Sequence, residues 1–465
     1  MLFSGIPFLY YFLPVVLILY FIAPKKLKNT VLLLSSLVFY GWGEPKYVIL
    51  MVASIIIGYF SGLLIEAKNN KKAKKVILFI SVFINLGFLA YFKYADFFIE
   101  NFNAATGLGV PLLRIALPIG ISFYTFQILS YSIDVYRGTP AQRNIINLAA
   151  YITMFPQLIA GPIVRYTDIS AELTERKHTL EGFVAGMRRF ILGLSKKVLV
   201  ANILGELCDI FRASDDKAVL YYWLYAVAFA LHVYFDFSGY SDMAIGLGKI
   251  FGFKFCENFN YPFIAKSATE FWRRWHMSLG TWFRDYVYIP MGGNRVSLPR
   301  WFFNIFTVWM LTGFWHGAAW TFIIWGLYFA IFLCIEKLFL LKLLEKTKVL
   351  NRIYILLIIT TSFVIFNATD MSEAFRYIKC MFGFGNVPLV SAEYLYYLKS
   401  YAVPMVIALV GATPVVKNAV KKLLENKPIK AVMNVAEPVT LVVLFVVVTA
   451  FLVDGSFNPF LYFRF

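Results

Sequence analysis

The sequence predicts an all-α polytopic membrane protein, and three observations carry that prediction. First, 60% of the 465 residues are hydrophobic and only 15% are charged, whereas a soluble domain carries about 25% charged residues. Second, apolar runs such as VLLLSSLVFY and VILMVASIIIGYF lack the alternation of a transmembrane barrel strand and suit helices of roughly 20 residues. Third, the net charge of +18 is gathered into short clusters between apolar runs. That is the pattern of cytoplasmic loops, and it argues against a nucleic-acid surface.

Taken in order, the first segment, MLFSGIPFLYYFLPVVLILYFIAPKKLK, is followed by its positive charges at Lys25, Lys26 and Lys28. A cleavable signal has its charge before the apolar core, so this segment stays and orients Met1 outward. Segments 30–44 and 47–65 cross out and back, keeping Lys25–Lys28 and Lys68–Lys75 on the cytoplasmic side. Segment 76–93 leaves, 94–112 with Asp96 and Glu100 is external, and 113–135 returns to Arg137 and Arg143. Segments 145–165, 182–207 and 218–252 are interrupted by Pro156, Gly161, Pro162, Gly193 and Gly239, as in broken or re-entrant helices that line a cavity. Residues 301–334 form the next apolar stretch, Lys337–Arg352 is cytoplasmic, and 352–368, 401–416 and 436–454 complete the chain. The whole of 1–465 reads as one integral membrane domain with ~11–14 hydrophobic segments, both termini external. NPFLYFRF at the end has the character of an interfacial aromatic anchor.

The four cysteines, Cys208, Cys256, Cys334 and Cys380, are scattered without a CxxC, and no metal site is expected. Of the four histidines, His178 lies in a polar loop and reads as solvated, and His232 among aromatics reads as a hydrogen bonder between helices. His276 sits in SATEFWRRWHMSLGTWFRDYVYIPMGGNR, where Trp272, Trp275, Leu279, Trp282 and Tyr286 form one stripe at helical spacing. A basic, Trp-rich amphipathic helix tends to lie in the membrane interface. His276 borders the stripe, and either lipid anchoring or chemistry fits it. Arg273 and Arg274 could dock phosphates of an anionic cosubstrate.

His316 lies in LTGFWHGAAW inside an apolar stretch. An ionisable group at that depth is costly and usually faces a polar cavity. A neutral imidazole is a competent general base. Gly313 and Gly317 flank it, giving either a close helix-packing seam or room for a substrate. Asp236 and Asp242 in YFDFSGYSDMAIGLGKIFGF need partners or water; a network at a broken helix and the lining of a reaction tunnel both fit.

These motifs make the chain recognisable. FKYADFF, LPIGISFYTFQILSYSIDVYRG, FPQLIAGPIVRY, the run from Tyr234 to Arg295, and GFWHGAAW resemble the membrane-bound O-acyltransferase superfamily, within it the alginate O-acetylation (AlgI-type) branch. The similarity runs nearly end to end, with a motif core at about 113–342. The resemblance implies a ring of tilted spanning helices with amphipathic and re-entrant elements around a central tunnel. It maps the family's near-universal histidine, a general base, onto His316 and its second polar position onto His276. Arg273, Arg274, Trp275, Trp315, Asp236 and Asp242 are the accompanying tunnel candidates. It also implies a bacterial inner-membrane location and no bound cofactor. On this resemblance the expected donor is acetyl-CoA or another acyl thioester and the expected acceptor an exported polysaccharide, with alginate, cellulose, peptidoglycan, teichoic acid and another exopolysaccharide all open. An extracytoplasmic acetyltransferase and a polysaccharide biosynthesis complex are the expected partners. The alternative is a transporter or channel subunit whose partner does the chemistry.

Overall fold

The structure is a computed structural model that describes Met1 and Phe3–Gly455; the NPFLYFRF segment lies outside the described residues. Every regular element among those residues is helical. Six helices are long and apolar enough to cross a membrane: Pro45–Ala67, Lys71–Thr106, Val219–Ile250, Trp320–Glu345, Leu350–Asn367 and Lys427–Asp454. The pair Ala392–Ser400 and Ala402–Gly411, bent by 59°, makes a seventh if taken as one span. This is an all-α, multi-pass membrane protein.

Span-length helices are fewer than the hydrophobic stretches because several stretches fold into short buried pieces. The stretch 145–165 becomes Ile145–Thr153 and Phe155–Leu158, and its residues from Leu148 to Val164 are buried in protein. Pro156 has no N–H to continue the first helix, so the chain turns at Met154.

Two boundaries differ from the sequence reading. The helix that was expected to end at residue 93 runs on through a π-helical turn, Ala90–Tyr94, and stops at Thr106, where Gly107 has φ +72. Helix needs no apolar surface once it leaves lipid, and Asp96 instead ties down the following loop. Its carboxylate accepts the backbone N–H groups of Leu113 at 2.7 Å and Arg114 at 2.9 Å. The second difference is Val219–Ile250, which is one continuous helix of 32 residues, unbroken at Gly239. Gly239 serves close packing: a Cβ there would lie 2.7 Å from the Gly193 carbonyl oxygen.

The chain forms two compact units. The first comprises Met1–Phe190 with Ser241–Cys256, the second Ile191–Tyr240 with Glu257 onward. In the first unit, Ile121–Tyr136 is buried on nearly every side. Gly58 and Gly62 of helix Val48–Ala67 admit Ile128 and the Tyr131 ring where side chains would collide. Phe3, Phe8, Phe39 and Phe155 make an aromatic core beside it.

The second unit is organised by a hairpin of Leu298–His316 and Trp320–Ile335. A Cβ on Gly313 would collide with the Phe322 carbonyl, and one on Gly326 with the Trp309 carbonyl. The flanking helices differ in role: the most apolar window of Val219–Ile250 is 78% buried, that of Lys427–Asp454 only 6%, so the latter faces lipid. Outside the spans, Arg212 Nη2 pairs with Glu373 at 2.8 Å, and Glu373 also accepts from Thr369 N at 2.7 Å.

Gly326→Ala forces the hairpin apart and should cost about 1–3 kcal/mol, read as a lowered unfolding temperature in detergent. Gly87→Ala, where a Cβ meets nothing within 4 Å, should be neutral or slightly stabilising. Burial alone would raise the Glu373 pKa, but the Thr369 N–H and Arg212 outweigh it and bring it down to about 2. A depressed carboxyl stabilises the fold above its ordinary value of 4.5 and loses that contribution as pH falls toward 2. The stability gap between the native chain and Glu373→Gln should therefore close across that window in thermal melts taken at successive pH values.

Candidate active site

The site lies in the second unit and begins with a helix start held from below. Glu336 is buried, and its carboxylate accepts Ala268 N at 2.5 Å, Thr269 N at 2.9 Å and Thr269 Oγ1 at 2.7 Å. A carboxylate at a helix N-terminus satisfies otherwise orphaned N–H groups. Ser267 caps the same end by accepting Glu270 N at 3.0 Å. The helix so begun, Ala268–Trp272, is short.

A single amphipathic helix across this region was expected; the structure corrects that. His276 has φ +43 and ψ +52 and stands between Ala268–Trp272 and a second short helix, Met277–Phe283. The left-handed region costs a non-glycine residue of order 1–3 kcal/mol and persists only where surroundings impose it. Here they do. Asn260 N donates to the Arg274 carbonyl at 2.9 Å and Met277 N to the Asn258 carbonyl at 3.0 Å, clamping the turn between them. The stripe itself is packed in protein: Trp275, Leu279, Trp282 and Tyr286 are buried, so it is not a lipid anchor.

The His276 ring is oriented through Nδ1. Asn258 Oδ1 lies 3.1 Å from it and also accepts Ser278 Oγ at 2.9 Å and Ser278 N at 3.3 Å. A backbone N–H can only donate, so that amide atom is the oxygen and His276 carries its proton on Nδ1. Nε2 is then a lone-pair site; it is buried and has no hydrogen-bond partner among the described residues. Phe237 packs edge-on against the ring at 4.7 Å.

His316 ends helix Leu298–His316. Its Nδ1 lies 2.7 Å from the Thr312 carbonyl oxygen, which only accepts, so Nδ1 again holds the proton. Nε2 is left basic. The ring is walled by Trp315 at 5.0 Å, Trp325 at 4.9 Å and Phe366 at 5.5 Å. Trp315 lies between the histidines, with its ring 5.8 Å from that of His276. The two histidines, far apart in sequence, thus flank one indole with Nδ1 of each tied down. Gly313 and Gly317 make room for Phe322, the first for its carbonyl and the second for its ring, not for a substrate.

The other expected residues divide. Trp315 joins the histidines. Trp275 sits in an aromatic cluster with Phe259, Phe271 and Phe363 and packs the turn from behind. Arg274 is engaged by Glu270 at 2.9 Å and by the Asn260 carbonyl at 3.1 Å, whereas Arg273 is exposed. Asp236 is fully buried against Lys197 at 2.5 Å in the second unit. Asp242 pairs with Arg189 at 2.8 Å in the first. Both aspartates stand on the unbroken helix Val219–Ile250, where a broken one was expected, and each faces a cation from the preceding helical segment. His232 donates Nδ1–H to the Ala201 carbonyl at 2.7 Å, as a hydrogen bonder between helices.

Asn258, Ser278 and Glu336 were missed as site-building residues. Asn258 lies inside the run from Tyr234 to Arg295, but nothing in its spacing pairs it with His276. A cavity of about 550 Å³, lined by Lys217, Tyr222, Arg376 and Tyr377, reaches neither histidine. The hydrogen-bonded imidazoles, not cavity size, mark the candidate site. Among the described residues no His, Cys, Asp and Glu cluster is arranged to hold a metal.

A multi-pass helical protein with two buried, proton-oriented imidazoles meets its relatives at this point. The model of the membrane-bound O-acyltransferase family matches residues 121–377. The chain is 44% identical over 393 residues to the probable alginate O-acetylase AlgI of Azotobacter vinelandii, covering 83% of this chain and 79% of that one. It is 34% identical over 427 residues to the peptidoglycan O-acetyltransferase of Helicobacter pylori, covering 84% and 81%. Over 236 residues it is 32% identical to the teichoic acid D-alanyltransferase of Bacillus subtilis, covering 48% and 59%. The chain belongs to the membrane-bound O-acyltransferase family. It is an acyltransferase of the inner membrane, similar over most of its length to AlgI-type O-acetylases.

If Asn258 positions His276, Asn258→Ala should lower acyl transfer by roughly 100-fold, the scale of a misplaced catalytic group. Donor KM and the unfolding temperature should move far less. Asn258→Asp, which keeps an acceptor at Nδ1, should recover part of the rate with an altered pH profile.

Proposed function

We propose that this chain moves acetyl groups from a cytosolic thioester, acetyl-CoA in the simplest case, to a polysaccharide outside the cell. Supporting the acceptor class, the relatives act on alginate, peptidoglycan and teichoic acid by name. The observation that carries the chemistry is His316, with Nδ1 held by the Thr312 carbonyl and Nε2 facing away from it.

The acceptor hydroxyl gives its proton to His316 Nε2 as its oxygen bonds to the thioester carbon. The tetrahedral intermediate collapses with cleavage of the C–S bond, and the Nε2 proton passes to the leaving thiolate. His276 stabilises the oxyanion only after its own Nε2 is protonated, because its resting proton sits on Nδ1. Arg273, exposed and with no salt bridge among the described residues, is the cation for the donor's phosphates, Arg274 being occupied by Glu270. The substrates meet in a tunnel open to both faces. The acetyl group reaches the glycan directly or through an extracytoplasmic acetyltransferase in a polysaccharide-synthesis complex.

His316→Ala should lower acetyl transfer by ~10²–10⁴-fold with membrane insertion unchanged, measured as thioester cleavage by the purified protein and acetyl content of the glycan. Full acetylation by the variant in a cell without a paralogue would refute the base assignment. Transport of donor or glycan that survives the substitution would favour a carrier.

A further inference from the structure

We propose that Lys28, Arg176 and His178 form a phosphate-binding site on the first unit, built around the hydroxyl of Tyr20. Tyr20 is fully buried, and its O–H has three neighbours. The Phe251 carbonyl, 2.9 Å away, can only accept, so the hydroxyl proton points there. The oxygen then accepts from Arg176 Nε at 2.9 Å and from His178 Nε2 at 2.8 Å. One buried hydroxyl thus gathers a guanidinium and an imidazole. Lys28 adds an ammonium over the same ring, 4.4 Å from its centroid, with Arg176 Cζ 5.7 Å from it.

No carboxylate among the described residues forms a salt bridge with any of the three. Arg176 also donates Nη1 to a neutral carbonyl, that of Glu172, at 3.0 Å, and stacks on Phe253 at 4.4 Å. Ring faces offset only a small part of such repulsion, about 0.5–2 kcal/mol per contact. Burial, and after it the charges of Lys28 and Arg176, hold the His178 imidazole below its ordinary range, partly offset by the Phe251 backbone hydrogen bond. A fold that holds like charges together without an acid is completed by an anion. Gly252, at φ +84, lets the two side chains pack close: a Cβ there would press on Arg176 Cδ and His178 Nε2 at 3.3 Å.

A phosphate monoester or diester suits the arrangement, because it accepts charge-assisted hydrogen bonds from several directions at once. Lys28 is half-exposed and can reach a ligand directly; His178 is exposed, and because its one proton sits on Nε2 it donates to a phosphate only once Nδ1 is protonated as well. Lys25 and Lys26 stand beside them, directly after the first apolar segment. A basic juxtamembrane cluster of this kind meets anionic lipid headgroups on the cytoplasmic leaflet, the same side from which a phosphate-bearing soluble cosubstrate would arrive. The site is formed entirely by residues of the first unit, and His276 and His316 play no part in it.

The test uses the full chain in phosphatidylcholine nanodiscs, native and as Lys28→Gln and Arg176→Gln. One arm titrates inorganic pyrophosphate by calorimetry. The other adds phosphatidylglycerol and counts retained lipids by native mass spectrometry. At least one probe should bind the native chain and bind each variant about tenfold more weakly. Pyrophosphate binding identifies a soluble ligand and selective phosphatidylglycerol retention a lipid headgroup. Lys28→Gln leaves every hydrogen bond of Tyr20 in place, so its loss of binding does not come from misfolding. Failure of both probes to bind, or equal binding by native chain and Lys28→Gln, overturns the proposal.

Discussion

A polar group withdrawn from water into a helical membrane protein must find its partner inside the protein. Burying an amide or hydroxyl without one costs several kcal/mol, and an isolated charge far more. Much of the second unit follows from meeting that constraint. Lys197 and Asp236 are both almost wholly buried and survive because they face each other. Removing one member of such a pair typically costs 3–5 kcal/mol, since the other charge is left stranded. Glu336 is likewise tolerable because it caps a helix start.

The histidines obey the same rule with a different result. A neutral imidazole has one donor and one acceptor, and its donor has to be satisfied when buried. Thr312 and Asn258 supply oxygen acceptors to Nδ1 of His316 and His276. Satisfying the donor fixes the tautomer and turns both basic nitrogens away from the backbone. A hydrogen bond required for stability thereby also fixes how each imidazole is oriented. The strained turn at His276 belongs to the same bargain: two backbone hydrogen bonds and the Asn258 amide hold a conformation that the residue would not choose.

Glycines and aromatics set how closely the supporting helices approach. Between lipid-solvated helices there is little hydrophobic drive, so close packing matters more. Gly313 and Gly326 bring the hairpin of Leu298–His316 and Trp320–Ile335 to backbone contact, and that approach sets Trp325 against His316. Without it the imidazole would lose one wall of its enclosure. Gly239 similarly draws helix Val219–Ile250 against the backbone that carries Lys197, which its buried ion pair with Asp236 requires.

The all-helical class and the membrane setting were legible in the sequence, because composition and charge clustering are local signals; an imidazole among apolar residues is a local signal too, and it singles out His316 as a candidate base. A glycine inside a helical run was ambiguous: it reads the same whether it breaks a helix or admits a neighbour, and only the neighbour decides. Gly239 was read the first way and acts the second. The stripe Trp272–Tyr286 had a helix's period, yet the chain leaves helix at His276, since contacts with residues 258 and 260 outweigh local preference. Asn258 and Tyr20 gave no local sign of their roles. Their partners lie 18 and more than 150 residues away, and a hydrogen bond across such distances exists only once the tertiary fold has brought its two ends together.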